Sequence, residues 1–332
     1  MSLQILLRAA RAVAPRGAAA GFLGRAFLPW MAERPSRWRP GLRTLAHLEA
    51  AARRRRRTAR RLDIDIPSTM VVSVTSACNL RCPSCAVLDT VGHPARVLDR
   101  PTLDRLLAEG REIGVSRIAL VGGEPLMAEP VDGLVADNAD LFFMIFTNGR
   151  PLTPLRADAY AALGNVAFVL NAGTGNRCGA VDRLDEGVEK ALVRMRSSGL
   201  LAGVAATVSS ANVDFFAASA TLDTLRSLGA RFAIFFDYQV DLADVRGHDD
   251  LRVAPPRRRG FVEAVRRWAA ERRFHVVLAP EDEAILAGGC GAAGREMIHV
   301  SAYGTLDPCP FVPFSRFHVS DHGLLDVLCS EY

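Results

Sequence analysis

Cys78, Cys82 and Cys85 lie at spacing C-x3-C-x2-C, directly after an apolar, β-branched run at Val71–Thr75. A strand that ends in such a loop can aim three thiolates at one soft metal centre. The count of three is informative, because structural zinc sites and simple electron-transfer clusters take four protein ligands. A [4Fe–4S] cluster held by three cysteines keeps one iron open to a small molecule. Two other uses fit the same spacing: half of a zinc site completed by a distant fourth ligand, or a chance group of inert thiols.

Further chemistry-bearing segments follow. Gly122-Gly123-Glu124-Pro125 offers two glycines that let backbone approach a ligand closely, and a carboxylate acceptor. Thr147-Asn148-Gly149 is also ordinary turn chemistry. Asn171 closes the run Val169-Leu170-Asn171-Ala172-Gly173, and Thr207-Val208-Ser209-Ser210-Ala211-Asn212 is a polar stretch after another apolar run. Arg177 and Arg183 each carry a fork suited to a carboxylate. Near the C-terminus Cys290, Gly304 and Cys309 form C-x13-G-x4-C with an apparent hairpin between the thiols, and Cys329 comes later. Cys178 is most simply an idle or buried thiol.

Together the C-x3-C-x2-C loop, with Asn-Leu-Arg and Pro-Ser between its thiols, and the GGEP segment one unit later resemble the radical S-adenosylmethionine (SAM) superfamily. The resemblance implies that Cys78, Cys82 and Cys85 hold a [4Fe–4S] cluster whose open iron takes the amino and carboxylate groups of SAM. It implies SAM contacts from Gly122, Gly123, Glu124, Pro125, Asn148, Asn171, Ser209 and Asn212. Arg183, with Arg177 as the alternative, is placed to pair the SAM carboxylate. Asn171 departs from the family's usual serine. The implied chemistry is reductive cleavage of SAM to a 5′-deoxyadenosyl radical that takes hydrogen from an unactivated carbon, with electrons from a flavodoxin- or ferredoxin-type donor. The C-terminal thiols resemble the opening of a SPASM or shorter twitch extension. Cys290, Cys309 and Cys329 could furnish at most one auxiliary [4Fe–4S] cluster, with His318 and His322 as nearby alternative ligands, or the extension is degenerate and holds none.

The elements that must position these residues alternate strand and helix. Strands are predicted at Val71–Thr75, Ile118–Val121, Leu141–Phe146, Val166–Leu170, Leu201–Val208 and Arg231–Phe236, with amphipathic helices between them. Asp99-Arg100-Pro101-Thr102 reads as a helix start. Buried strands alternating with helices form parallel βα units, whose ligand chemistry gathers at the carboxyl ends of the strands. Six units are fewer than the eight of a closed barrel and agree with the partial (β/α)6 barrel that the resemblance implies. The fold class is therefore α/β. A basic, partly amphipathic arm is expected over residues 1–65, the core over 66–250, and a C-terminal helix with a small cluster-binding extension over 251–332.

With 332 residues, 49% of them hydrophobic, the chain can bury a large core. Seven cysteines and no secretory pattern favour a reducing, cytoplasmic setting and metal chemistry over a disulfide framework. Charge is uneven: residues 1–62 hold fifteen arginines against Glu33 and Glu49, so the net +5 combines a basic arm with an acidic body. Leu3, Leu6, Leu7, Ala10 and Val13 recur at helical spacing, and Phe22, Leu23, Phe27, Leu28 and Trp30 add apolar mass beside Arg25. Residues 1–62 are thus a solvated helix on the domain's flank or a peripheral membrane contact, and the Arg53–Arg57 run suits phosphate. Nucleic acid is not expected as a partner. The substrate is expected to be a small molecule or lipid; the alternative is a ribosomal precursor peptide that a SPASM-type maturase crosslinks or epimerises.

Overall fold

Apolar strands capped by short polar turns assemble into one sheet in the computed structural model, which describes residues 21–82, 94–173, 181–238, 249–279, 290, 294–312 and 315–330. The six predicted strands form in order: β1 (Thr69–Thr75), β2 (Arg117–Gly122), β3 (Phe142–Thr147), β4 (Val166–Asn171), β5 (Leu201–Val208) and β6 (Phe232–Asp237). Each pairs parallel with the next. A seventh parallel strand, β7 (His275–Ala279), adds to β6. On the far side of β1, β8 (Met297–Val300) pairs parallel, and β9 (Leu306–Asp307) turns back antiparallel on β8. The order β7-β6-β5-β4-β3-β2-β1-β8-β9 leaves the sheet open rather than closed into a ring.

The helices are α1 (Leu28–Ala32), α2 (Trp38–Leu62), α3 (Arg100–Ile113), α4 (Pro130–Asp137), α5 (Pro154–Leu163), α6 (Glu186–Ser198), α7 (Val213–Ala217), α8 (Ser219–Leu228), α9 (Pro255–Glu271) and α10 (Leu324–Leu328). Start signals act as the sequence suggests. Asp99 caps α3 by accepting the Thr102 backbone N–H at 2.9 Å, with Pro101 in the first turn. Strand periodicity sorts the two faces of the sheet. Met70, Val72 and Val74 of β1 pack in the helix-covered core with Leu103, Leu106 and Leu107 of α3. Residues on the alternate positions point to the other, inner face.

That inner face carries the main departure from expectation. The apolar mass at Phe22–Trp30, open in the sequence to either the domain's flank or a membrane surface, is spent inside the protein. Leu23, Ala26, Phe27, Leu28, Trp30 and Met31 are buried against Phe142, Ala167, Val169, Leu201, Phe232 and Ile234 of β3 to β6. The Phe22 ring meets Phe142, Phe232 and His275 with centroids 5.9, 5.1 and 5.9 Å away. The arm's polar bonds reach the turns that lead into the strands. Trp30 Nε1 donates to Gly199 O at 2.9 Å, Arg37 Nη2 to the same oxygen at 2.7 Å, and Thr44 Oγ1 to Gly164 O at 3.3 Å. The parallel β3 to β6 are apolar on both faces, so the inner face needs a cover, and the arm supplies it at the strands' amino ends. On α2, Arg53, Arg54, Arg56, Arg57, Arg60 and Arg61 remain exposed. Residues 3–13, expected to form the amphipathic helix, lie outside the described residues. Among the described residues no helix is long and apolar enough to cross a membrane.

Candidate functional site

With the amino ends plugged, the open part of the inner face lies toward the carboxyl ends of the strands. There Ser73, Val121, Phe146, Asn171, Thr207 and Phe236 are only partly buried. The thiol loop leaves β1 at this end and returns beside it. Ser76 N–H donates to Arg96 O at 2.9 Å, Arg96 N–H donates to Ser76 Oγ at 2.9 Å, and Leu98 N–H donates to Val74 O at 3.0 Å. The loop is therefore pinned at both ends, a requirement for thiolates that must converge. Cys78 and Cys82 are half-buried, and the Leu80 N–H points at Cys78 Sγ from 3.4 Å. Thiol donors with such an amide contact fit an iron–sulfur cluster, whose sulfurs are tuned by hydrogen bonds of this type. Cys85 lies outside the described residues.

The glycines of the GGEP segment serve this loop directly. A Cβ on Gly122, whose φ is +125°, would stand 2.3 Å from Thr75 O; one on Gly123 would stand 2.1 Å from Ala77 O. Gly123 N–H donates to Thr75 O at 2.7 Å and Glu124 N–H to Ala77 O at 2.8 Å. The close approach made possible by glycine is thus backbone against the base of the thiol loop, in addition to whatever a ligand requires.

Glu124 is 1% exposed, and its carboxylate is heavily engaged by protein. Oε1 accepts the Thr147 hydroxyl at 2.7 Å and the Leu126 N–H at 3.0 Å, while Oε2 accepts the Asn148 N–H at 2.7 Å. Burial pushes its carboxyl pKa up, against the pull of these donors. Asn148 Nδ2 then donates to Asn79 Oδ1, inside the thiol loop, at 2.7 Å. One hydrogen-bonded chain therefore runs from the GGEP segment through the Thr-Asn-Gly turn to the residue after Cys78. Asn79 enters the sequence reading only as part of the Asn-Leu-Arg filling between two thiols, not as a site residue.

The other expected contacts are brought to the same end of the sheet in differing states. Asn171 Oδ1 accepts the Gly173 N–H at 3.1 Å, and the residue is half-buried on the inner face. Ser209 and Asn212 are buried in a turn that they themselves build. Asn212 Oδ1 accepts the Ser209 N–H at 2.9 Å, Asn212 Nδ2 donates to Thr207 O at 3.1 Å, and Ser209 Oγ accepts the Ala211 N–H at 3.2 Å. Arg183 is exposed ahead of α6 and lies close enough to help hold the Glu186 carboxyl down, a shift led by Lys190. Pro125 is buried in the short turn after Glu124. Arg177 and Cys178 lie outside the described residues.

In the C-terminal part the predicted hairpin between thiols is β8–β9, with His299 opposite Asp307 and Val300 opposite Leu306. Cys309 follows it and is buried. Burial raises its thiol pKa, the nearby Phe311 and Val312 N–H groups oppose that, and Cys290 and Asp307 add to the rise; the Val312 N–H itself donates to Cys309 O at 3.2 Å. Cys329 sits exposed just after α10, and among the described residues no three Cys, His, Asp or Glu side chains converge on a metal position. His318 is committed on both nitrogens, to Tyr303 O and to Ser320 Oγ at 2.8 Å each. The His322 Nδ1 is buried without a hydrogen-bond partner.

Residues 72–199 match the family described as the Radical SAM superfamily. Among curated proteins, the PqqA peptide cyclase of Ruegeria pomeroyi is 27% identical over 283 residues, covering 77% of this chain and 72% of its own length. The AdoMet-dependent heme synthase of Methanosarcina barkeri is 24% identical over 278 residues, covering 74% and 78%. Among solved structures, Streptococcus suis SuiB bound to S-adenosylmethionine aligns with a TM-score of 0.66 at 16% identity, over 86% of this chain and 71% of that one. At this identity the structural likeness speaks to the fold.

Proposed function

Since the chain is a radical SAM enzyme with a C-terminal extension, using a [4Fe–4S] cluster and SAM, we propose that it takes hydrogen from a peptide rather than from a free small molecule or lipid. The observation that carries this is the relationship to PqqA peptide cyclase, 27% identical across 77% of the chain. Of the apolar residues in the arm that favoured a lipid substrate, Phe27, Leu28 and Trp30 are buried in the protein.

Cys78, Cys82 and Cys85 would hold the cluster. When bound, the reduced cluster and SAM supply a 5′-deoxyadenosyl radical able to attack an unactivated C–H bond. The chain's own residues do the positioning. Gly122 and Gly123 let the strand-two turn pack on the thiol loop, and Glu124 fixes the Thr147–Asn148 turn beside it. Asn171, with Ser209, Asn212 and Arg183 from the neighbouring strand ends, would contact SAM. The plugged amino ends direct substrate entry to the carboxyl ends of the strands, where an extended segment can lie across the partly open inner face. Electrons would come from a reduced flavodoxin- or ferredoxin-type protein. Cys290 and Cys309 would serve an auxiliary cluster.

The test is reconstitution of the full chain with iron and sulfide, followed by SAM, a reductant and candidate peptides from open reading frames adjoining the gene. The expected result is 5′-deoxyadenosine formation that Cys82→Ala abolishes, with a peptide that is two hydrogens lighter for a crosslink, or of unchanged mass but carrying one deuterium from D2O for an epimer. SAM cleavage undiminished in Cys82→Ala would overturn the cluster assignment. Turnover of a small metabolite with no peptide present would overturn the peptide assignment alone.

A further inference from the structure

The long helix α2 is laid across the amino ends of four strands, one turn after another. Arg37, its N-cap, donates to Gly199 O ahead of β5, and Thr44 Oγ1 donates to Gly164 O ahead of β4. Ala50 and Ala51 line a cavity of about 60 Å³ with Asp140 and Leu141, ahead of β3. Arg54 Nη1 donates to Arg111 O at 2.6 Å, and a Cβ on Gly114, ahead of β2, would stand 2.4 Å from Arg55 N. Leu45 is buried in the cluster that covers the inner face, and Trp38, Leu42 and Leu48 pack against that cluster. The outward side of α2 is therefore the base of the molecule, at the end of the sheet opposite the thiol loop.

Helical spacing sorts the charges on this helix. Arg39, Arg43, Arg53, Arg54, Arg57 and Arg61 are exposed, and at 3.6 residues per turn they fall within an arc of about 100°. The row runs about 33 Å from Arg39 to Arg61 at the helical rise per residue, with exposed Arg56 and Arg60 on its flank. Glu49 is the one acid in α2, and among the described residues it is the one acid ion-paired to the row, accepting Arg53 Nε at 2.9 Å. Asp140, on the turn ahead of β3, is itself held by Arg111 at 2.6 Å. Arg39 and Arg43, Arg53 and Arg57, and Arg57 and Arg61 are like charges four residues apart, a spacing that destabilises a helix in water. A solvated face ordinarily mixes the two signs. A single-sign row kept against its own repulsion calls for a surface of anions.

We propose that the arginine row of α2 docks the base of the protein onto an anionic lipid bilayer, with its guanidinium groups on the headgroup phosphates. Three observations select this occupant among polyanions. The row is the ridge of one straight helix, a shape that meets a plane along its whole length. The other exposed residues in the row are Ala46 and Ala50, so it offers no aromatic ring to stack a base and no amide or hydroxyl to position a nucleic acid. Upstream in the sequence, Leu3, Leu6, Leu7, Ala10 and Val13 recur at helical spacing beside Arg8 and Arg11, an apolar complement that lipid can take up and a polyanion in water cannot. The apolar residues nearer to α2, Phe27, Leu28 and Trp30, are inside the protein, so the attraction of the described surface is electrostatic. Docked this way, the carboxyl ends of the strands face the water. The proposal is therefore compatible with the peptide reading and does not rest on it.

The test is flotation of the reconstituted full-length chain with lipid vesicles, which needs neither peptide nor SAM turnover, so its failure and that of the peptide reading are separable. Association is expected with vesicles of equal parts phosphatidylcholine and phosphatidylglycerol, not with phosphatidylcholine alone, and it should be lost as salt rises. Arg57→Gln combined with Arg61→Gln keeps good helix formers at both positions and should weaken association roughly 30-fold, the effect of two surface arginines. Arg259→Gln combined with Arg267→Gln removes the same charge from exposed positions of α9 and should leave association unchanged, since charges beyond a Debye length are screened. Equal binding to both vesicle types, binding to neither, or an equal loss in the two double variants overturns the proposal. Tighter binding to a DNA duplex or to polyglutamate than to the mixed vesicles also overturns it, and gives the row to nucleic acid or to an acidic chain.

Discussion

The Glu124 carboxylate and the Asn148 backbone are joined by a 2.7 Å hydrogen bond in which the acid accepts the amide that opens the turn after β3. With Thr147 and Leu126 as further donors, this one side chain fixes two strand ends against each other. Glu124→Gln keeps the volume but replaces one acceptor oxygen by an NH2 group that faces donors. A loss of about 1–3 kcal/mol in urea unfolding is expected. The pH dependence carries a sign. Burial raises the Glu124 carboxyl above its ordinary value, so the folded state binds its proton more tightly than the unfolded state. Its favourable contribution is complete below the ordinary glutamate value of about 4.3 and is lost as pH rises through the raised folded value. The stability difference between wild type and Glu124→Gln should therefore shrink from acid toward neutral pH. A difference that grows would mean that the three donors outweigh burial.

Gly123→Ala places a methyl group 2.1 Å from Ala77 O, a backbone atom at the root of the thiol loop. The loop must shift or the strand must give way, which costs about 1–3 kcal/mol. Iron bound after reconstitution should fall with it. Gly260→Ala is the matched control: that glycine lies within α9 with nothing near its missing Cβ. It should retain full iron and gain up to about 1 kcal/mol from helix propensity. Unchanged iron in Gly123→Ala would show that the loop does not depend on this contact.

Most of the scaffold was legible in the sequence because parallel strands buried on both faces write themselves as unbroken apolar runs. Phe142–Thr147 and Leu201–Val208 are examples, the first predicted one residue early and the second without error. The cover for their inner face was not legible. Phe22, Phe27 and Trp30 have no periodicity that names a partner, and only the sheet's geometry shows that Phe142 and Phe232 must be their neighbours. The same limit applied to the site. Two glycines before an acid signalled close approach, yet nothing local could say that the approaching group is Thr75 O and Ala77 O. Ser73 Oγ lies 2.9 Å from His299 Nε2 across 226 positions, and short polar residues in separate strands leave no pattern until the strands pair.

The segment Leu23–Met31 of the arm is part of the core, and damage to it should be felt as core damage. Phe27 is 1% exposed and stacks edge-on against Phe142 at 5.9 Å. Phe27→Ala deletes a buried aromatic and leaves a cavity, for an expected loss of about 3–5 kcal/mol in chemical denaturation. A detachable surface anchor would lose far less than 1 kcal/mol by the same substitution, since exposed side chains away from the core contribute little. A small change would return the arm to the surface.

The thiols of the extension should not behave alike. Cys309 is buried, the nearby Phe311 and Val312 N–H groups oppose the upward push of burial on its thiol, and Cys290 adds to that push. A bound metal would hold that sulfur as thiolate despite burial, reversing the upward push on its pKa. Cys329 is exposed at the end of α10, with its N–H on Leu325 O at 2.9 Å. If an auxiliary cluster is held, Cys309→Ala and Cys290→Ala should each lower bound iron by about four atoms per chain, the content of one [4Fe–4S] unit. Cys329→Ala should leave the count unchanged, because nothing in the fold brings its thiol to the Cys290–Cys309 pair among the described residues. A wild-type chain that binds about four irons in total, all lost in Cys82→Ala, would remove the second cluster. An equal loss in all three extension variants would instead require α10 to close on the pair when metal binds.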